Sequence, residues 1–478
     1  MQFSCKVVEM QKLLYSLQEI AMKLKTNATN HYGFYQQKQY QARIFMGFDP
    51  TMISPMCAVI DHFVDHLDIS CFSQNVKSNR VIGGRPAISA RCLLKIYMYT
   101  LLCNISLRNM NKYYSIGSEL AFLINDEPHF PKRTVFSKFL PMLAKYIDYI
   151  FESSLQYIRT CGVEMDVSNL YGDGTVMEAW NSRHKVITQT NVDRSNKKWG
   201  AILQDPESND AEKMLAVEKL AVNVERTRKL EAKGRNSYGR TDEDCVLAKD
   251  KNSSYIAGYN AQFIEESKHG LVVYCNLSNQ FPDCEAFKSI IDTVIELFHP
   301  KTITLDTGYE SPEILFKLIK NGCTPLVRTR KMENAKTSIN EFSFELSADD
   351  RYLICPTGRS LVEAKSTENG ETRFKSVSCD GCLIKDKCCP KGKCKSVTIN
   401  VEQFKTLMNL FELVDSDAGI EIYSHRGNKC ESPHGHIKVN LNGKKFGTAG
   451  LDKCNAILKI YAILFNFRRM ITILGSDV

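Results

Sequence analysis

Apolar residues recur at helical spacing from the start of the chain. Met10, Leu13, Leu14, Leu17, Ile20, Ala21 and Leu24 share one face and predict an amphipathic helix, suited to core packing or to a dimer contact. The segment PMCAVIDHFVDHLDIS predicts a second helix. GGRPAISARCLLKIYMYTLLCNISLRNMNKYYSIGSELAFLI predicts a turn and then further helices, broken near Asn104 and Gly117. Residues 1–150 thus read as a helical N-terminal domain for DNA binding or oligomerisation. Its Arg85, Arg91, Lys95, Arg108, Lys112, Lys132 and Arg133 suit either a helix-turn-helix-like DNA contact or an ordinary solvated face.

Near residue 160 the period changes. CGVEMDVSNLYGDGT, GYNAQFIEES, GLVVYCNLS and TITLDTGY read as short strands, with helices over 284–298 and 311–321. Alternating strands and helices make residues 160–475 a mixed α/β domain. Two insertions interrupt it. Residues 192–250 are highly charged, with Met214, Val217, Ala221 and Val224 on one face of a helix. Residues 340–400 hold a cysteine cluster. A strongly apolar helix closes the chain over 450–472. Its AILKIYAILFNF run is interrupted by Lys459 and stopped by Arg468 and Arg469, too short to span a bilayer.

Composition narrows the classes. With 478 residues, 43% hydrophobic and 24% charged, the chain has material for two or three folded domains, and disorder is excluded as a default. No secretory signal region is visible at the N-terminus, so a cytoplasmic location and reduced thiols are expected for the 18 cysteines. A net charge of +8 permits a polyanionic partner without demanding one.

Three acids stand in unusual settings. Asp173 lies between two glycines in YGDGT, Asp306 ends the TITL run, and Glu431 lies in RGNKCESPHGHIK. Two strand-end aspartates and a helix-borne glutamate converging over one sheet would suit hard divalent cations. Two such ions can activate an attacking oxygen and stabilise the leaving oxygen of a phosphodiester. Each acid also has an ordinary reading, as a turn residue or a helix cap. In the second insertion, Cys379 and Cys382 form a C-x-x-C knuckle that Cys355 and Cys388 would complete as a structural Zn2+ site. Cys389 and Cys394 are alternative fourth ligands, and scattered reduced thiols are the other reading. Lys385 and Lys387 crowd the knuckle and suit DNA phosphates. Trp180 closely follows the first aspartate, where core packing is expected and stacking on an unpaired base is the alternative.

DGTVMEAWNSRHK, GYNAQFIEESKHGLVV, DTGYESPE and CESPHGHIKVNLNGKKFGTAGLDKCNAILKIYAILFNFRRM resemble, in order, the motif segments of bacterial insertion-sequence DDE transposases. VIDHFVDHLDIS and GRPAISARCLLKIYMYTLL resemble the same family's N-terminal domain. The resemblance implies a ribonuclease H-like catalytic domain of the retroviral-integrase superfamily. It implies Asp173, Asp306 and Glu431 as catalytic ligands of two Mg2+ or Mn2+ ions, and Arg426 and Lys438 as phosphate contacts beside the glutamate. It favours zinc in the cysteine insertion. It further implies double-stranded DNA partners, namely terminal inverted repeats and target DNA, a homodimer in the DNA complex, and a bacterial, nucleoid-associated protein. The sequence departs from the family at His434 and His436, where an aromatic and an amide are usual.

Overall fold

The computed structural model describes residues 53–69, 88–115, 118–124, 130–249, 254–335, 337–366, 370–390 and 392–476. The expected helix over Met10–Leu24 lies outside them, as does Arg85.

Four helices open the described chain: α1 (Pro55–His66), α2 (Ala90–Leu102), α3 (Glu119–Ile124) and α4 (Arg133–Thr160). Ser54 and Ser89 cap α1 and α2 through side-chain oxygens that accept from the amides of Cys57 and Cys92. Two of the basic residues suggested for DNA are taken up by the fold. Arg91 donates to the carbonyls of Val64, Asp65 and Leu67, closing the C-terminal end of α1. Lys95 is buried between Asp61, at 2.7 Å, and Asp65, at 2.5 Å.

Next come β1 (Asn169–Glu178), β2 (Val186–Thr188) and a helical pair, α5 (Gln189–Gln204) and α6 (Asp210–Lys233). Asn209 and Glu212 form a capping box at the start of α6, and Gly234 ends it in the left-handed region. The first insertion is helical as expected. Its predicted apolar face, however, points outward, with Met214 77% and Val224 70% exposed, whereas Ala216, Asn223 and Leu230 are the buried positions. The inward stripe is polar enough to be tied by hydrogen bonds: Asn223 donates to Ser195 and Asn196 on α5.

The chain continues through β3 (Ser237–Gly239), β4 (Val246–Lys249), β5 (Tyr255–Glu266), β6 (Val272–Ser278), α7 (Asp283–Lys288), α8 (Ile291–Phe298), β7 (Thr302–Leu305), α9 (Pro312–Lys320), β8 (Thr324–Val327) and α10 (Arg330–Ala335). Strand β5 lies antiparallel between β1 on one edge and β4 and β6 on the other. Strands β1, β7 and β8 are parallel, giving a mixed sheet of six strands. Helices α7–α8 lead from β6 into β7, and α9 connects β7 to its parallel neighbour β8, as a βαβ pattern requires.

The second insertion is a separate antiparallel sheet: β9 (Glu345–Leu346), β10 (Tyr352–Ile354), β11 (Ser360–Ser366), β12 (Glu371–Ser376) and, after the short helix α11 (Lys385–Cys388), β13 (Ser396–Asn400). It has a core of its own, with Phe344, Leu353, Leu361, Phe374, Val397, Ile399 and Phe404 buried together. The chain returns to the main sheet through α12 (Val401–Asp415) and α13 (Asp417–Gly435), and ends in α14 (Leu451–Ser476).

Helix α14 explains the apolar C-terminal run. Leu458, Ile460, Ile463, Leu464 and Phe467 are buried between α4 and β6, and each contributes roughly 1.5–3 kcal/mol by leaving water. Asn466 caps the outer edge of β6, accepting from the Val272 amide at 2.9 Å and donating to its carbonyl at 2.7 Å. One continuous core therefore joins the helices α1, α2 and α4 to the sheet. Among the described residues, no helix is long and apolar enough to cross a membrane.

Candidate active site

Parallel pairing brings the two aspartates together. The β1–β7 register matches Asn169 with Thr302 and Tyr171 with Thr304. Continued by two residues, it sets Asp173 level with Asp306, on the same face of the sheet. Asp173 is not at a strand end, as the sequence suggested, but in the middle of β1, opposite Phe263. Its flanking glycines serve close approach, not a turn. A Cβ on Gly172 would lie 2.5 Å from Leu305 Cδ2, and one on Gly174 would lie 2.6 Å from Asp283 Oδ1. Asp306 ends β7 as expected and caps the turn Thr307–Tyr309, its Oδ1 accepting from the Gly308 amide at 2.7 Å.

Among the described residues, a cation bridges the pair. Arg426 on α13 puts Nη2 3.0 Å from Asp173 Oδ1 and 3.7 Å from Asp306 Oδ2. Burial works against its charge, but Asp173, the Cys430 thiol and Asp306 outweigh that and hold the guanidinium more firmly protonated than usual. The two carboxylates thus face a common point that accepts positive charge. Oxygen donors arranged around such a point fit a hard divalent cation.

Helix α13 presents Tyr423, Arg426, Cys430 and His434 toward this region at intervals of three to four residues. Cys430 is fully buried, and burial with the nearby Glu265 and Asp173 pushes its thiol well up. His434 lies with Nδ1 3.7 Å from Asp173 Oδ2 and its ring 4.9 Å from that of Phe263. Glu431 is one position past Cys430, about 100° around the helix, and is exposed. The structure therefore brings Asp173, Asp306 and Arg426 together and leaves Glu431 outside that cluster. Lys438 does reach the site: it sits in a π-helical stretch, His436–Asn440, and its Nζ donates to Thr175 Oγ1 at 2.5 Å, two residues beyond Asp173.

Several neighbours were not singled out from the sequence. Glu265 on β5 is fully buried, and burial followed by the Asp173 charge raises its carboxyl well above the ordinary range. Arg328, just past β8, stacks 4.8 Å from the Tyr423 ring. Asp283 opens α7 and accepts from Asn260 at 2.7 Å. No spacing rule marked them, because they come from elements paired only in three dimensions. Trp180, expected in the core, is half exposed.

In the second insertion, Cys355, Cys379, Cys382, Cys388 and Cys389 line one small pocket. The Lys395 amide donates to Cys379 Sγ at 3.4 Å and the Arg359 amide to Cys355 Sγ at 3.3 Å. The Lys395 contact lowers the Cys379 thiol. Burial opposes ionisation of Cys355, but contacts with Thr357 and Arg359 lower it too. As they stand, no three His, Cys, Asp or Glu side chains among the described residues are set to grip one ion. Lys385 Nζ lies 3.6 Å from Asp380, and Lys387 is exposed.

No curated protein matches the chain. The family comparison gives the resemblance its support: residues 354–471, which include the cysteine pocket, Arg426, Glu431, Lys438 and most of α14, match the family model of the transposase DDE domain.

Proposed function

We propose that this chain is a DNA transposase that binds the terminal inverted repeats of its element, cleaves at their ends and joins the freed 3' hydroxyls to target DNA. The observation that carries this reading is the Asp173–Asp306 pair, level on adjacent parallel strands and facing one cationic group, beside a segment matching the transposase DDE domain. Mg2+ or Mn2+, two ions in all, would be held by Asp173 and Asp306 with Glu431 as the third acid. When bound, these ions supply charge stabilisation to the attacking and leaving oxygens of a phosphodiester.

The protein's own part is positioning and charge. Glu431, on the same helix as Arg426, would join the aspartates as the third acid. Arg426 then leaves the carboxylates for a DNA phosphate. Lys438 contacts a phosphate from the Thr175 side. Lys385 and Lys387 bind backbone phosphates beside the cysteine module, where Cys355, Cys379, Cys382 and Cys388 would hold a structural Zn2+ that ties the module together. A homodimer holds two ends together, and the protein acts at the bacterial nucleoid.

Incubation with a supercoiled donor plasmid carrying the element's ends tests this, in Mg2+ and in EDTA. Mg2+-dependent cleavage followed by joined products is expected. Cleavage without joining would make the protein a nuclease, and binding without cleavage would make it an inactive relic.

A further inference from the structure

A second arginine stands beside the aspartate pair. The β7–β8 register matches Thr304 with Leu326 and Leu305 with Val327. Continued by one residue, it sets Arg328 level with Asp306. Asp173, Asp306 and Arg328 thus form one row across β1, β7 and β8, neighbouring strands lying about 4.8 Å apart. Open α/β sheets take their ligands in the crevice outside the carboxyl ends of parallel strands, and Arg328 lies at that end of β8.

Its guanidinium is held by a ring, not by a carboxylate. It lies 4.8 Å from the centre of the Tyr423 ring, one turn before Arg426 on α13, and so on the face of the sheet that carries Asp306. Arg426 is the cation that takes up both aspartates. Among the described residues, Arg328 enters no ion pair, and its buried Nε has no hydrogen-bond partner. A half-buried guanidinium with unspent donors is costly until an anion meets it. Stacking on Tyr423 fixes the plane of the fork, and a fixed fork suits bidentate contact with a phosphate. The segment is also anchored two residues on, where the Arg330 amide donates to Glu310 Oε2 at 2.8 Å.

We infer that Arg328 is a further phosphate-binding residue of this site. It grips a backbone phosphate of the DNA strand lying across the carboxyl end of the sheet, on the β8 side of the phosphodiester that Asp173 and Asp306 address. This rests on the proposed reading of the chain as a DNA-cleaving enzyme. Tyr423 acts as a positioning residue, giving the long side chain a fixed aim before DNA arrives.

Binding of a fluorescein-labelled duplex carrying the element's end, followed by anisotropy in EDTA over a range of salt, tests it. Each phosphate contact adds about 0.9 to the steepness of log K against log salt. Arg328→Gln should remove about that much and weaken binding about tenfold near physiological salt. Arg328→Lys should keep the slope and lose part of the affinity, because an ammonium supplies the charge without the fork. If Arg328→Gln keeps the slope and affinity of the unaltered protein, Arg328 only packs on Tyr423 and the inference fails. If the unaltered protein neither binds the duplex in a salt-dependent way nor cleaves it in Mg2+, the reading of the chain as a DNA-cleaving enzyme fails instead. Phenylglyoxal modification of the unaltered protein, read by peptide mass, decides the matter should Arg328→Gln not fold. The duplex should protect Arg328 from reaction, and equal modification with and without DNA overturns the inference.

Discussion

Replacing Arg426 with Gln removes the positive charge that the two aspartates share. Opposite charges 3–4 Å apart in a partly buried setting attract by roughly 4–5 kcal/mol at an effective dielectric constant near 20. The desolvation of the guanidinium offsets part of that, and the Asp306 side chain is 37% exposed, so screening offsets more. About 2–3 kcal/mol of stability should be lost in EDTA. Urea denaturation of the full chain reads this as a lower midpoint for the transition that includes the main sheet. Millimolar Mn2+ should restore the midpoint of Arg426→Gln and raise that of the unaltered protein less, because Arg426 and the cation compete for the same oxygens. An unchanged midpoint in EDTA would refute the role of Arg426 as internal counter-ion. Equal stabilisation of both proteins by Mn2+ would refute the competition.

Other outcomes follow from single groups. Lys95→Ala leaves Asp61 buried without its cation and should cost about 3–5 kcal/mol, read in the same urea experiment. Burial, followed by the charge of Arg468, lowers the His436 imidazole below its ordinary value. Its contribution is complete above the unfolded pKa of about 6.5 and is lost as pH falls through the lower folded value. Thermal melts between pH 7.5 and 5 should therefore decline less steeply in His436→Gln. Elemental analysis of protein purified without chelator should find about one Zn2+ per chain, lost in Cys379→Ser and in Cys382→Ser, with the β9–β13 sheet destabilised.

Much of the sheet could be read from the sequence because its strands carry clear local signals. TITL is β-branched and buried, and the alternation through GLVVYCNLS matches β6. The C-terminal helix announced itself by an apolar run that only a core could hold. Asp306 was legible because it ends a strand. Asp173 was found but misplaced, since glycines on both sides look like a turn until Leu305 and Asp283 are seen pressing against them.

What remained hidden depends on phase or on pairing. A helical wheel does not reveal which way α13 is rolled, because Cys430 and Glu431 are adjacent and a π-helical stretch follows. The same ambiguity turned the Met214–Val224 stripe outward on α6. The cysteine spacing of the second insertion gave no sign of the core that Phe344 and Phe374 supply there. Glu265 and Asp283 gave no signal, because the strand register and the start of α7 bring them to the aspartates.

The proposed cation-holding role of Asp173 and Asp306 is tested by Mg2+-dependent cleavage of a donor carrying the element's ends, with DNA binding measured on the same preparations. Asp173→Asn and Asp306→Asn should each lower cleavage by about a thousandfold or more, while binding stays within about twofold. Either variant cleaving at the rate of the unaltered protein would rule out that role for the residue replaced.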